Sequence, residues 1–413
     1  MKIKRNTSVY SIYLYATIAI LTYSSCRAFA DTAKESLLEY VGYGLLLGGI
    51  FLSYLNIKAH YRKKYVNKYI VLLIPLFSIG ILVQDLSAKR KCILLFTMIA
   101  IIMTSVMSEN FLRGFDSIRT MAYGCICGVL ISIITCIVMG VSLVGESVES
   151  TFGIHWTFWG GIRDKSIATI MLAIIISLYM YSKNKGRYKF VDKVITLIAF
   201  IVIILSNSRG AWIHLTVFYF MLNYEKVKRI KQQHRFVAIL IVGILCLIGA
   251  VYVYKNIILK SATYFIRYQG LINYIAMFEE DSYHMWLGNA EIAYDKGLDY
   301  VQTIRSITGW NGTLEIAWLN ILIKNGIIGV IGFVIIFIRA FITAFKCDNW
   351  FYKSFHLALI VMLLVTSLVA TYIQTVHALF GIYCYLLIAY FSGCEHLSNE
   401  HYKLSKRENN NGQ

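Results

Sequence analysis

The chain has 413 residues, of which 58% are hydrophobic and only 15% are charged, and its mean hydropathy is +0.62. A soluble protein of this length needs roughly a quarter of its residues charged, so the composition excludes an ordinary soluble enzyme. The net charge of +18 comes from short clusters between apolar runs, which is typical of membrane topology signals and of contact with anionic lipids. It does not form the continuous basic face of a protein that binds nucleic acid.

Apolar runs of about 18 residues or more recur along the chain, which predicts transmembrane helices. We predict an all-α polytopic membrane protein with about twelve spans. They lie near 9–27, 37–57, 68–85, 92–108, 119–144, 166–182, 190–207, 210–224, 236–254, 316–345, 354–372 and 375–393. The first span imitates a signal peptide, but with so many spans after it we expect it to remain uncleaved.

The basic clusters predict the orientation. "KAHYRKKYVNK", "SKNKGRYKFVDK", "EKVKRIKQQHR" and "KLSKR" fall on one side, which the positive-inside rule assigns to the cytoplasm, although "AKRK" on the other side opposes this. Both termini are therefore expected in the cytoplasm. The predicted organisation is a membrane domain at 1–254, an extracytoplasmic loop at 255–315 between helices 9 and 10, a second membrane part at 316–393 and a cytoplasmic tail at 394–413.

Cysteine and histidine spacing predicts no metal site. The nine cysteines lie mostly inside apolar runs, and Cys125 and Cys127 are too close together for a CxxC site. We interpret them as small buried side chains. His155 and His284 have no second histidine or carboxylate at metal-ligand spacing.

Three arginines lie at span ends or in loops on the predicted outer side. They are Arg163 in "GGIRDKS", Arg209 in "SNSRGAW" and Arg267 in "FIRYQG". A guanidinium fork matches phosphate oxygens in pairs, as a diphosphate-linked lipid would require, but each arginine could also be an interfacial anchor. Anchoring explains Arg209 less well, because it lies in a very short predicted hairpin where Gly210 would let a neighbour approach closely.

Aromatic residues accompany charges in the outer segment "GESVESTFGIHWTFWGGIRDKS" (145–166). A plain connector does not need this combination, whereas a surface that handles sugars does. His155 and Trp159 are candidates to stack on a sugar ring.

The segment "GTLEIAWLNILIKNGIIGVIGF" (312–333) contains a second candidate group. Glu315 precedes an amphipathic run and could act as a general base, or could simply favour the positive end of a helix dipole. Gly326 and Gly329 are compatible with a bend in the following helix.

Three stretches carry a family resemblance. "SNSRGAW", "RYQGLINYIAMFEEDSYHMWLGNA" (267–290) and "EIAWLNILIKNGIIG" (315–329), in this order, resemble motifs of the bacterial O-antigen ligase and O-antigen or capsule polymerase superfamily. "IRDKSIAT", with Arg163, is a looser match. The resemblance covers most of the chain, and it implies a GT-C-like arrangement of the helices.

The position of Glu315 favours one branch of this superfamily. Its ligases place a histidine, usually followed by asparagine, where this chain has Glu315 and Ile316. Some of its polymerases resemble this chain in having glutamate there. The resemblance therefore favours a polymerase, with a ligase that transfers the glycan to lipid A-core as the alternative.

The resemblance implies an inverting glycosyl transfer that needs no metal or other cofactor, at the outer face of a bacterial cytoplasmic membrane. The donor would be a growing glycan on undecaprenyl diphosphate, and the acceptor a lipid-linked repeat unit. Arg163, Arg209 and Arg267 would hold the diphosphates, and Glu315 would take the proton of the acceptor hydroxyl. Gly326 and Gly329 would shape the helix beside the lipid. Expected partners are membrane lipids and the chain-length regulator and flippase of the same pathway.

Two other classes of function remain open. A lipid-linked oligosaccharide flippase or secondary transporter suits twelve helices equally well, but transporters usually carry ionisable groups near the bilayer midplane. The charges of this chain are expected at span ends. A non-catalytic membrane scaffold would make each outer arginine dispensable.

Overall fold

A computed structural model describes residues 2–30, 32–151, 154–163, 166–186, 189–228, 272, 282–290, 316–368, 372–374 and 379–410. The predicted ninth span, Arg267, Glu315 and most of the predicted loop 255–315 lie outside these ranges.

Helices dominate the described part of the chain. They are α1 (Lys2–Ser24), α2 (Ala33–Leu55), α3 (Ala59–Tyr61), α4 (Asn67–Val83), α5 (Ala88–Ser105), α6 (Phe115–Val138), α7 (Ser166–Lys185), α8 (Phe190–Leu205), α9 (Arg209–Lys228), α10 (Ser282–Leu287), α11 (Ala317–Lys346), α12 (Trp350–Thr366) and α13 (Leu379–Asn410). Short 3₁₀ turns occur at Arg27–Phe29 and Met107–Asn110, and a π-helical turn at Arg62–Val66 leads from α3 into α4.

The prediction of a helical membrane protein is confirmed at this coarse level. Every predicted span except 236–254, which is not described, overlaps one of these helices. Four described helices are long and apolar enough to cross a membrane, namely α2, α6, α7 and α11, and several shorter apolar helices accompany them.

The helices form a bundle with an apolar outer surface and a tightly packed interior, as expected for a protein embedded in lipid. Large apolar side chains such as Val71, Val138 and Phe190 are exposed on the outside of α4, α6 and α8. Such a wide apolar surface marks a membrane contact. Helix α7 is buried along almost its whole length and forms the centre of the bundle.

Helices α1 and α6 approach each other closely through glycines. A Cβ added at Gly128 would lie 2.5 Å from Thr22 Cβ, and one at Gly124 would lie 2.8 Å from the carbonyl oxygen of Tyr15. The hydroxyls of Tyr23 and Thr135 are 3.1 Å apart across the same interface. Small residues at such contacts are how membrane helices gain packing without a hydrophobic driving force.

The protein has a two-stranded β-hairpin that the sequence analysis does not predict. Strand β1 (Val144–Thr151) pairs antiparallel with β2 (Ile154–Phe158), with Val144 opposite Phe158 and Glu146 opposite Trp156. The expectation of an all-α chain is wrong here. Helix α6 ends at Val138, so the predicted span to residue 144 is also too long.

We call the side of the bundle that carries this hairpin the hairpin face. Because consecutive helices run antiparallel, several other connections between helices lie on the same side. Backbone hydrogen bonds join these connections to each other or to a helix start. Arg27 N–H donates to the carbonyl of Gly161 at 2.8 Å, and Ala317 N–H donates to the carbonyl of Ser367 at 3.0 Å. We call the opposite side, where α5 turns into α6, the tail face.

Helix α12 ends at Thr366, before the predicted span end at residue 372. The tertiary bond from Ala317 to the Ser367 carbonyl explains this, because it fixes the chain where a longer helix would continue. At the other end, α13 runs unbroken to Asn410 and so crosses the predicted boundary at residue 393.

Charged groups are buried inside the bundle, which contradicts the expectation that charges lie only at span ends. Arg339 lies inside α11, pairs with Glu109, and donates from Nη1 to the carbonyl of Ser105 at 3.1 Å. The side chains are 3% and 0% exposed. A second pair joins Arg119 to the fully buried Asp192 at 3.0 Å, near the tail face.

Candidate functional site

The "SNSRGAW" segment forms the tight turn that its sequence predicts. Helix α8 ends at Leu205 and α9 begins at Arg209, so Ser206, Asn207 and Ser208 make the whole connection. Asn207 has a φ of +51°, a left-handed conformation that asparagine tolerates better than most residues. All three side chains are buried, so polar groups lie just beneath the hairpin face at this point.

Arg209 is the first residue of α9. Its side chain lies outside the described part. The first four N–H groups of a helix have no partner within it and carry the positive end of its dipole. A positive charge at this end is repelled by the dipole by about 0.3–1 kcal/mol, and an anion bound between the two would remove that repulsion.

Gly210 does not serve the role that its position predicts. A Cβ added there would meet no described atom within 4 Å, so close packing does not require the glycine. This position is directly beside Arg209, and the described residues leave it open.

His214 lies one turn into α9 and is fully buried. Its Nδ1–H donates to the carbonyl of Gly210, which fixes the tautomer and leaves Nε2 as an acceptor. Within the described residues Nε2 has no hydrogen-bond partner. The ring packs edge-on against Tyr372 at 5.6 Å and Phe380 at 5.0 Å between centroids.

The turn between α12 and α13 links these residues to the centre of the bundle. The phenol of Tyr372 hydrogen-bonds Thr169 of α7, and Tyr385 donates to the carbonyl of Ile373 at 2.7 Å. Burial raises the pKa of Tyr372 to about 12, so the phenol stays protonated at neutral pH. Two residues on, the buried amide of Gln374 has no partner among the described residues.

The start of α11 contacts the same connection. Trp318 Nε1–H donates to Ser367 Oγ at 2.6 Å, next to the backbone bond from Ala317 to Ser367. Glu315 lies two residues before Ala317 and is not itself described. The start of α11 therefore contacts Ser367, and the first turns of α9 contact Tyr372, a few residues further along the chain.

Gly326 interrupts α11 with a φ of +64° and a ψ of −171°, which is the bend that "GIIG" indicates. A Cβ there would lie 2.2 Å from the carbonyl oxygen of Trp286. A Cβ at Gly288, which has a φ of +84°, would lie 2.7 Å from the carbonyl oxygen of Lys324. Gly329 leaves room for the side chain of Asn325, whose amide has no partner among the described residues.

Gln84 ties three segments of this region together and was not singled out from the sequence. Its Nε2 donates to the carbonyls of Leu287 at 2.7 Å and Lys324 at 2.9 Å, and its Oε1 accepts from Ala290 N–H at 2.7 Å. A lone glutamine at the end of a predicted span is the signal that could have identified it.

Replacing Gln84 by methionine tests this connection. Each lost hydrogen bond leaves a buried partner unsatisfied, at about 1–3 kcal/mol per group. We expect hydrogen exchange to rise by at least tenfold at residues 286–290 while exchange in α1 and α6 stays unchanged. Ser87→Ala, three residues along on the same face, is the matched control. Unchanged protection at 286–290 would contradict the role of Gln84.

The β-hairpin and the segment after it carry the remaining predicted residues, of which Arg163 and Trp159 have other partners there. Arg163 Nη1 donates to both carboxylate oxygens of Glu35, at 3.1 and 3.3 Å. The guanidinium of Arg27 stacks on Trp159 with its carbon 3.1 Å from the ring centroid, so one ring face is covered. The backbone of His155 lies in β2, and its side chain is outside the described part.

The hairpin face thus offers cations, hydroxyls and amides for binding. Among the described residues no three His, Cys, Asp or Glu side chains are grouped as metal ligands would be. His214, one turn after Arg209, contacts Tyr372, and Ala317, two residues after Glu315, bonds to Ser367, whereas Arg163 pairs with Glu35. A scan of protein-family models finds no match to this chain, and a search of curated protein sequences finds none either.

Proposed function

We propose that this protein is a glycosyltransferase with about twelve spans and a GT-C-like arrangement, located in a bacterial cytoplasmic membrane. It polymerises lipid-linked polysaccharide repeat units, with the hairpin face on the extracytoplasmic side. The donor is a growing glycan on undecaprenyl diphosphate, and the acceptor is a lipid-linked repeat unit. The observation that carries the proposal is the position of Arg209 at the start of α9, above a buried polar turn and beside open space.

This position suits a diphosphate for two reasons. The N–H groups of the first turn of α9 have no acceptor within the helix, and an arginine side chain supplies five further N–H donors. A diphosphate supplies several anionic oxygens, which remove the repulsion between the arginine and the helix dipole. The leaving group of the transfer gains charge as the sugar departs, so donors aimed at it stabilise the transition state most.

In the proposed step, Glu315 takes the proton of the acceptor hydroxyl while its oxygen bonds to the anomeric carbon of the donor. The bond from that carbon to the diphosphate breaks, with inversion, and Arg209 and Arg267 hold the released undecaprenyl diphosphate. Arg163 contributes less than predicted, because Glu35 already occupies its Nη1. His155, Trp159 and the buried amide of Gln374 are available to bind sugar hydroxyls and rings.

Arg209→Lys is the sharpest test of this role. Lysine keeps the charge but cannot donate bidentately, and the loss of one preorganised donor lowers catalysis by about 10²–10³-fold. We expect long polysaccharide chains to disappear from gels of a deletion strain that expresses this variant at wild-type level. The control is Arg90→Lys, a half-buried arginine in the first turn of α5 on the same face, which should leave the ladder unchanged.

A normal ladder with Arg209→Lys would overturn the role of the arginine, and a normal ladder in the deletion strain would overturn the function. The lipid-linked species that accumulates in the deletion strain separates the related activities. Single repeat units on the outer leaflet indicate a polymerase, and finished lipid-linked polymer that is not transferred indicates a ligase.

Transport of the lipid-linked oligosaccharide is the second candidate. The buried pair of Glu109 and Arg339 favours it, since transporters use ionisable groups inside the bundle. Retention of repeat units on the inner leaflet of the deletion strain would support transport and contradict polymerisation.

A further inference from the structure

We propose that Cys26 and Cys136 form a disulfide bond in the mature protein. Cys26 lies just beyond the end of α1, and Cys136 lies in the last turn of α6. Both side chains are fully buried, and their sulfur atoms are 3.9 Å apart. The bond would join the ends of two helices at the hairpin face.

Contacts with the segment around Gly161 hold the two cysteines next to each other. The backbone of Cys26 pairs with Ile162, and Arg27 N–H donates to the carbonyl of Gly161. The sulfur of Cys136 lies 3.6 Å from that same Gly161 carbonyl oxygen. With a disulfide length of about 2.05 Å, the sulfurs have to close by about 1.9 Å, which is about 1 Å for each.

The surroundings of the pair suit a disulfide better than two separate thiols. Phe29 and Leu143 pack around the sulfurs in a small apolar cluster. As thiols, the two groups reach the carbonyl oxygens of Ser132 and Gly161 only at 3.8 and 3.6 Å, whereas a disulfide needs no acceptor.

The oxidation requires a two-electron oxidant on the side where the hairpin face lies. We assign this role to a thiol oxidoreductase in its disulfide form, as found outside the cytoplasmic membrane. One thiolate attacks the oxidant's disulfide and the second displaces it, so the protein loses two electrons and two protons and the oxidant becomes a dithiol. Burial raises the pKa of Cys26 to about 11, so the exchange takes place before α1 and α6 close.

The disulfide would stabilise the position of the segment that follows the β-hairpin. Arg163 N–H donates to the carbonyl of Ser25 at 2.8 Å, directly beside Cys26. The segment that leads from the hairpin into α7 is therefore tied to the end of α1. This inference depends on the proposed outer location of the hairpin face and is independent of glycosyl transfer.

Differential alkylation of the full-length protein tests the proposal. Cells of the native host are denatured in detergent with excess N-ethylmaleimide, then reduced and labelled with a polyethylene-glycol maleimide. We expect nearly every wild-type molecule to gain two labels, and Cys26→Ser and Cys136→Ser each to gain none. Cys125→Ser, a buried cysteine of the same helix, is the matched control and should retain two.

Peptide mapping without reduction provides the second readout, and it needs only the wild-type protein. A linked pair of peptides that contain Cys26 and Cys136 is the expected result. Wild-type protein without label, or a linked pair of other cysteines, would overturn the proposal. A deletion strain that lacks polysaccharide chains while the wild type remains unlabelled would refute the disulfide and leave the proposed function standing.

Discussion

Replacing Arg339 by methionine is expected to destabilise the folded protein by about 3–5 kcal/mol, because the Glu109 carboxylate then stays buried without its partner. Neither side chain reaches the surface to any extent that water could compensate, with exposures of 3% and 0%. The carbonyl of Ser105 also loses the donor that Arg339 Nη1 provides. Steric-trapping or chemical unfolding in bicelles measures the difference.

The double variant Glu109→Met with Arg339→Met shows whether the loss comes from the missing ion pair or from leaving one charge buried alone. Replacing a buried ion pair by apolar residues of similar volume is often neutral or stabilising, so we expect most of the loss to be recovered. Arg113→Met, an exposed arginine that follows the same 3₁₀ turn, is the control and should change stability by less than about 0.5 kcal/mol. A single variant as stable as the control would contradict the structural role of the pair.

The same pair also separates the two candidate functions. A static pair anchors residues 105–114 to α11, so the rescued double variant keeps the polymerase active. If the protein is instead a transporter in which Glu109 takes up and releases a proton or ion, the double variant would fold but would not transport. Assaying the double variant for both stability and polysaccharide chains therefore distinguishes structural from functional use of the same two residues.

Local sequence patterns predicted the helices well, because a membrane helix satisfies its own backbone hydrogen bonds and needs only an apolar run of sufficient length. The break in α11 was also foreseeable, since "GIIG" places two glycines where other residues would continue the helix. The "SNSRGAW" turn followed from polar residues between two apolar runs. In each case the signal is contained within one short segment.

Tertiary contacts could not be predicted in this way. Glu109 and Arg339 lie in different parts of the chain, and nothing near either residue indicates the other. Helix α12 ends early because Ser367 bonds to Ala317, which is also distant in sequence. Trp159 was a sensible candidate for a sugar, but only the fold shows that Arg27 covers one face of its ring.

The β-hairpin is an intermediate case. Its strands are short and contain charged and aromatic residues, so hydropathy assigned them to a loop. Glycine at position 145 becomes understandable only in the structure, where the ring of Trp159 occupies the space that a Cβ would fill. The pairing of β1 with β2 turns the chain back toward the bundle, where Arg163 meets Glu35.

Replacing Gly326 by alanine is expected to have the second large effect, a loss of about 3 kcal/mol or more in the free energy of unfolding. The backbone there has a φ of +64° and a ψ of −171°, a region that is essentially restricted to glycine and costs other residues about 1–3 kcal/mol. The new Cβ would also lie 2.2 Å from the carbonyl oxygen of Trp286. Overpacking against backbone adds about 1–3 kcal/mol, because a carbonyl cannot rotate away as a side chain can.

Gly48→Ala is the matched control, since Gly48 lies inside α2 with no atom within 4 Å of an added Cβ. That change is expected to stabilise the protein by about 0.5–1 kcal/mol, so the two alanines should act in opposite directions. At Gly326 the relief of the clash requires Trp286 and Gly288 to move away from α11, which also breaks the bonds that Gln84 makes to Leu287 and Ala290. We therefore expect hydrogen exchange at residues 286–290 to rise and polysaccharide chains to shorten. Equal unfolding free energies for the two alanine variants would show that the break in α11 does not depend on glycine.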